Sequence, residues 1–283
     1  MTTFQLGDVE ITKVVEIEGE IAPARVIVPD SPPELWRDNE SWLAPHHWNP
    51  IADTLRGAVQ TWLLRSEGTI VLIDTSVGND RERPQVPVFD HLSTDFLDRL
   101  GVAPEEVDVV INTHVHYDHV GWNTRLVDGN WVPSFPNATY LIPRADQVHF
   151  ADADWPQSLI YADSIAPVLD RAVLWEDTHR VDANLTLEAK PGHTPGSSIV
   201  RLASGTDRAV FVGDILHSPV QILRPQHNSC FDEDPHRAAA VRRAVLEHAA
   251  DHRELVLPAH FAGQSAAEVR RDGERFAITD WAA

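Results

Sequence analysis

Apolar positions in this chain fall into short runs broken by Gly, Pro and acidic residues, the pattern of strands mixed with helices. Phe4 to Ile17 predicts two strands around a turn at Gly7-Asp8. Further strands are predicted at Val59–Leu64, Thr69–Asp74, Val107–Asn112, Ala138–Ile142, Leu185–Ala189, Ser198–Leu202, Ala209–Val212 and Leu255–Leu257. Helices are predicted at Thr94–Leu100 with Ser93 as N-cap, and at Arg144–Ala151, Ser158–Leu169, Pro235–Asp251 and Ala266–Arg271. Pro235 at a first turn and an Ala-, Arg- and Glu-rich body make Pro235–Asp251 the clearest of these. Residues 22–58 interrupt the pattern. They hold Pro23, Pro29, Pro32, Pro33, Trp36, Trp42, Pro45, Trp48 and Pro50, which predicts a long irregular segment rather than a flexible linker. With no break elsewhere, the expectation is one α/β domain over residues 1–283.

Composition narrows the class of protein. At 283 residues and 43% hydrophobic, the chain can bury a sizeable core. No apolar run reaches the roughly 18 residues of a membrane span. Met1-Thr2-Thr3-Phe4-Gln5 lacks a basic stretch followed by an apolar one, so no signal peptide is expected. A lone Cys230 excludes an internal disulfide and suits a reducing compartment, and a cytoplasmic location is expected. The formal net charge of −20 repels phosphate backbones and anionic lipids. Nucleic acid and membrane are therefore poor partners, and a small neutral molecule is a better one. A second copy of the chain stays open as a partner.

The candidate chemistry lies in Thr113-His114-Val115-His116-Tyr117-Asp118-His119, directly after an apolar strand run. In an extended segment, positions i and i+2 share a face. His114 and His116 can therefore point at one metal ion, with Asp118 and His119 reaching a second point nearby as the chain turns. Imidazole with carboxylate suits zinc and similar first-row ions. Three more candidates also follow strand runs: His193 in Pro191-Gly192-His193-Thr194-Pro195-Gly196, Asp214 in Gly213-Asp214, and His260 in Pro258-Ala259-His260. Taken singly they read as a turn His, a capping Asp and a core-edge His. Together with the first cluster they predict one rim of ligands.

The set His-x-His-x-Asp-His, Gly-His-Thr-x-Gly, Gly-Asp and Ala-His resembles the metallo-β-lactamase superfamily, from about Val59 to the C-terminus. The resemblance implies a four-layer αββα sandwich of two mixed sheets flanked by helices, with two divalent ions, zinc above all, at one edge. It implies that His114, His116 and His193 bind one ion, that Asp118, His119 and His260 bind the other, and that Asp214 bridges them. A metal-bridging hydroxide would then be the nucleophile, with Asp118 among the catalytic residues.

Within the superfamily, Asp214 argues against true zinc β-lactamases, which have Cys or Ser there. Gly121-Trp122, where glyoxalase II-like thioesterases have Gly-Gly, argues against that branch. The stretch from Gly213 to Gln221 resembles the methyl-parathion-hydrolase-like and lactonase-like branch. The implied activity is hydrolysis of a hydrophobic ester or lactone. Phosphotriester hydrolysis and mononuclear-iron persulfide oxidation are the alternatives, and a non-enzymatic metal-bound module is the rival outside catalysis. His217, three residues after Asp214, stands where the lactonases place a substrate-contacting Tyr. It is predicted to lie beside the metals and to serve the substrate or a proton. Trp122 is predicted to contact substrate. With Trp36, Trp42, Trp48, Phe89, Trp131 and Phe135 it is expected to form an apolar entrance.

Overall fold

A computed structural model describes residues 2–155 and 157–282. Two sheets dominate it. The first has eight strands. In spatial order they are Thr2–Leu6, Val9–Pro23, Thr54–Ser66, Thr69–Ile73, Val109–Ile111, Thr139–Pro143 and Ala172–Trp175, with Trp48–Asn49 pairing beside Thr54–Ser66. The second has seven: Thr178–Arg180, Leu185–Ala189, Ser198–Ser204, Asp207–Gly213, Leu255–Pro258, Ala266–Asp272 and Arg275–Ala282. Strand alternation builds the layers. Leu64, Val71 and Ile73 face inward onto Leu187, Val200, Phe211 and Leu257 of the other sheet. Their neighbours Leu63, Ile70 and Leu72 face outward, onto Phe96, Leu100, Phe150 and Ile165. On the far side, Val210, Val212 and Val256 pack under Val245, Leu246 and Ala249 of the helix Pro235–His252. The result is the four-layer αββα arrangement implied by the resemblance.

Several elements differ from expectation. Ala266–Asp272 is a strand, not a helix, paired with Arg275–Ala282 and with Leu255–Val256. Ser158–Leu169 is not one helix. It is a single α turn, a π segment over Tyr161–Ile165 and a 3-10 stretch over Ala166–Arg171, where Pro167 denies the α pattern a donor. The helix expected at Thr94–Leu100 is confined to Phe96–Arg99, preceded by Asp95 rather than capped by Ser93. Residues 22–58 are less irregular than expected. They hold the short helices Ala24–Ile27, Pro33–Arg37 and Glu40–Leu43, and the flanking strands run into them. Trp36 and Trp48 pack with tilted rings 6.0 Å apart in a satellite core with Leu43 and Leu55, which is why the segment needs so many Trp.

Strand direction positions the site. Thr69–Ile73, Val109–Ile111 and Thr139–Pro143 are parallel, as are Asp207–Gly213 and Leu255–Pro258. Their C-terminal ends therefore open on common edges, the usual place for a site in parallel sheets.

Candidate metal centre

Each candidate ligand leaves the end of a strand. His114, His116, Asp118 and His119 follow Val109–Ile111, His193 follows Leu185–Ala189, Asp214 follows Asp207–Gly213 and His260 follows Leu255–Pro258. Two local devices bring them close. A bulge between Phe211 and Gly213, with Gly213 at φ +48°, turns the chain so that Asp214 enters the edge. A Cβ at Gly213 would lie 2.8 Å from Thr113 Oγ1, so the two ligand loops meet only because the side chain is missing. A Cβ at Gly121 would lie 1.7 Å from Val77 O, which demands glycine two residues after His119.

Two donor groups result. His114, His116, His193 and Asp214 each bring a ligand atom to within 4.8 Å of the others, and Asp118, His119 and His260 do the same. Asp214 faces both groups. Its Oδ2 lies 3.3 Å from His193 Nε2 and 3.6 Å from His114 Nε2. Its Oδ1 lies 2.9 Å from His260 Nε2 and 3.1 Å from His119 Nε2. Asp118 Oδ1 and Oδ2 stand 3.7 Å from His119 Nε2 and 3.6 Å from His260 Nε2. His116 presents Nδ1, 3.1 Å from His114 Nε2 and 3.0 Å from His193 Nε2.

The far nitrogen of most rings is held, which decides which nitrogen can ligate. His119 Nδ1 donates to Asp74 at 2.9 Å, His193 Nδ1 to Asp232 at 3.1 Å and His260 Nδ1 to the carbonyl of Ala58 at 2.9 Å. His114 Nδ1 lies 3.1 Å from Thr113 Oγ1, whose hydroxyl donates to Asp74 at 2.8 Å. Four of the rings thus direct Nε2 at the centre. Asp146, fully buried, ties the two ligand turns together by accepting from Val115 N, Thr194 Oγ1 and Gly196 N. Sequence reasoning missed Asp74, Asp146 and Asp232, because a single carboxylate in a loop carries no spacing signal.

The charge balance suits cations. Asp74, Asp118, Asp214 and Asp232 bring four negative charges, against which the buried Arg242 sets one. Asp214 stays ionised: burial works against its charge, but His119, His260 and His217 outweigh it and hold its carboxyl well below the usual range. Burial pushes His114 and His116 well below the ordinary histidine value. In His193 burial is overcome by Asp214 and Asp232, and the ring is raised to about 9. In His119 burial is overcome by Asp214, Asp74 and Asp118, and the ring rises well above its ordinary value. Nearly buried carboxylates that draw protons onto their histidines are a place where divalent ions displace those protons. The donors fit two such ions.

The remaining candidates divide. His217 is 5% exposed, with Nε2 3.1 Å from Asp214 Oδ2 and its ring 5.7 Å from His260 and 5.1 Å from His193. Trp122 lies elsewhere. It is 4% exposed, stacked 5.8 Å from Phe96, and its Nε1 donates to Glu16 at 2.7 Å, so it packs the core rather than the site mouth. Trp36, Trp48 and Phe135 are likewise buried core residues, and Trp131 lies under the Arg81 guanidinium, so no shared apolar entrance forms from that set. One exposed aromatic residue beside the site is not among those the sequence singled out. Phe231 is 50% exposed, with its ring 5.8 Å from that of His217.

An αββα sandwich carrying a His/Asp donor set at its sheet edge defines a class of metal-binding fold. The family profile described as the Metallo-beta-lactamase superfamily matches residues 54–260, and the chain belongs to that superfamily. It is 33% identical over 112 residues to the N-acyl homoserine lactonase AttM of Azorhizobium caulinodans, covering 36% of this chain and 39% of that protein. It is 26% identical over 153 residues to an N-acyl homoserine lactonase of Bacillus cereus, covering 49% and 55%. The chain thus spans about 39% to 55% of these relatives' lengths. Among solved structures, a probable metal-dependent hydrolase from Staphylococcus aureus superposes with a TM-score of 0.82 at 18% identity, covering 98% of each chain. AidC, a dizinc quorum-quenching lactonase, superposes at 0.80 with 20% identity, covering 98% of this chain and 96% of that one. Both likenesses concern the fold.

Proposed function

We propose that this chain is a dinuclear, zinc-dependent hydrolase of neutral, apolar esters or lactones. The observation that carries the reading is Asp214, whose two oxygens face two separate donor groups at 2.9–3.6 Å. A mononuclear iron site has no use for the second group, so the same observation favours hydrolysis over persulfide oxidation. When bound, two such cations lower the pKa of water to about 7 and polarise a carbonyl oxygen.

The chain's own residues do the rest. Asp118, whose side chain is 19% exposed and so the most open of the carboxylates at the centre, takes the proton released as water is activated. His217 Nε2 lies 3.1 Å from Asp214 Oδ2 without hydrogen-bond geometry, and Nδ1 likewise has no hydrogen-bond partner among the described residues. That nitrogen can take up a proton and pass it to the leaving-group oxygen. Phe231 covers the same side and excludes water from the apolar part of the substrate. Lactone hydrolysis is supported by the lactonase relatives, and a small neutral substrate by the net charge of −20.

A panel of N-acyl homoserine lactones, aryl esters and an aryl phosphotriester, run on metal-quantified protein, tests the reading. Lactones or esters are expected to turn over best. Turnover confined to the phosphotriester would move the assignment to that chemistry, and oxygen uptake on a persulfide by a one-iron protein would overturn it.

A further inference from the structure

We propose that Arg242 is a positioning residue that acts through Asp232 to set the hold of one of the two metal positions, the one that includes His193. The proposal rests on the dinuclear reading above. Arg242 lies on the helix Pro235–His252 and is fully buried. Its Nη2 donates to Asp232 Oδ2 at 2.9 Å, and Asp232 Oδ1 accepts from His193 Nδ1 at 3.1 Å. The other guanidinium donors fan out along the chain that surrounds the site. Nε reaches Ile215 O at 2.6 Å, and Nη1 reaches Pro225 O at 2.9 Å, His227 O at 3.0 Å and Asn228 Oδ1 at 3.3 Å.

Burying a guanidinium costs several kcal/mol unless its charge and donors are met, and here both are. The acceptors lie in different directions, which suits a planar fork and not the single point of an ammonium. The clamp continues in the backbone, where Glu233 N donates to His193 O at 3.0 Å and Asp234 N to Gly192 O at 2.9 Å. The segment leading into the helix therefore holds the His193 turn through both side chain and backbone. The other donor group is oriented independently, His119 by Asp74 and His260 by Ala58 O, and Arg242 touches neither partner. Loss of the Arg242–Asp232 link should therefore unbalance the two positions instead of weakening both.

The test is equilibrium titration of the metal-stripped full chain with Co2+, followed by the cobalt absorption band, for wild type, R242K, D232N and the double variant. Orienting partners of metal-bound histidines are worth about 10- to 100-fold in affinity. Each single variant should weaken one Co2+ step by that order and leave the other unchanged, and the double variant should be no weaker than D232N alone. Equal weakening of both steps, or an R242K effect that adds in full to that of D232N, would make Arg242 merely structural. If R242K does not fold, D232N keeps the volume and the guanidinium's four other acceptors. An unchanged pair of affinities in D232N then overturns the proposal. A wild-type chain that takes up a single ion contradicts the dinuclear reading, and R242K leaving that ion's affinity unchanged contradicts this one.

Discussion

Asp214 is the residue on which the site turns, because its two oxygens face the two donor groups. Asp214→Ala is expected to lose metal and hydrolysis together, read by elemental analysis and turnover of one preparation. Retention of both metals with normal turnover would contradict its shared role. His217 stands beside the donors without belonging to either group. His217→Phe should keep two metals yet lower kcat/KM by about 10²- to 10⁴-fold, most for substrates with poor leaving groups. A flat response across a leaving-group series would make His217 structural. A third residue bears on stability. His47 is buried against Phe261 and Trp281, near Lys13 and His46, and burial lowers it to about 4. A base whose folded value is depressed contributes stability above its unfolded value near 6.5 and loses it as pH falls towards 4. His47→Phe should therefore flatten the loss of stability between roughly pH 6.5 and 4, measured by denaturant unfolding. An unchanged slope would assign the acid sensitivity to other groups. The ligands were legible in the sequence because they are chemically rare and each follows an apolar run. Trp122 was misplaced because Gly121 folds the chain against Val77 and sends the next side chain inward.

At the scale of elements, the strands that carry ligands were readable and their surroundings less so. Ala266 to Arg271 consists of good helix formers apart from Val269, but two neighbouring strands offer it backbone partners on both sides. Tertiary pairing overrides propensity there. The missed clue was Gly273 at φ +63° in a two-residue loop between Asp272 and Arg275, the glycine-first signature of a hairpin. The strand Asp207–Gly213 gives the sharpest element-level prediction. Gly213→Ala adds a Cβ at a left-handed position and against Thr113. The strain should cost about 1–3 kcal/mol and shift Asp214, so stability and metal affinity should fall together. Unfolding of the metal-free variant measures the first and titration the second. A variant as stable and as tight as wild type would show that the bulge adapts.

Across the whole molecule, the fold is an interlayer core of apolar side chains whose open strand ends hold a concentration of negative charge. A ligand that binds only the folded state stabilises it by about 2.7 kcal/mol at one hundred times its dissociation constant. Chelation should therefore lower the thermal midpoint as well as abolish turnover. The overall charge of −20 predicts that polyanions such as RNA are poor substrates, and efficient RNA cleavage would contradict the substrate assignment. The dinuclear centre is tested most directly by lactone hydrolysis in metal-stripped protein as zinc is added in measured equivalents. A two-ion centre predicts no activity without metal and a rise that breaks at two equivalents per chain. Full activity in the stripped protein, or saturation at one equivalent, would contradict it.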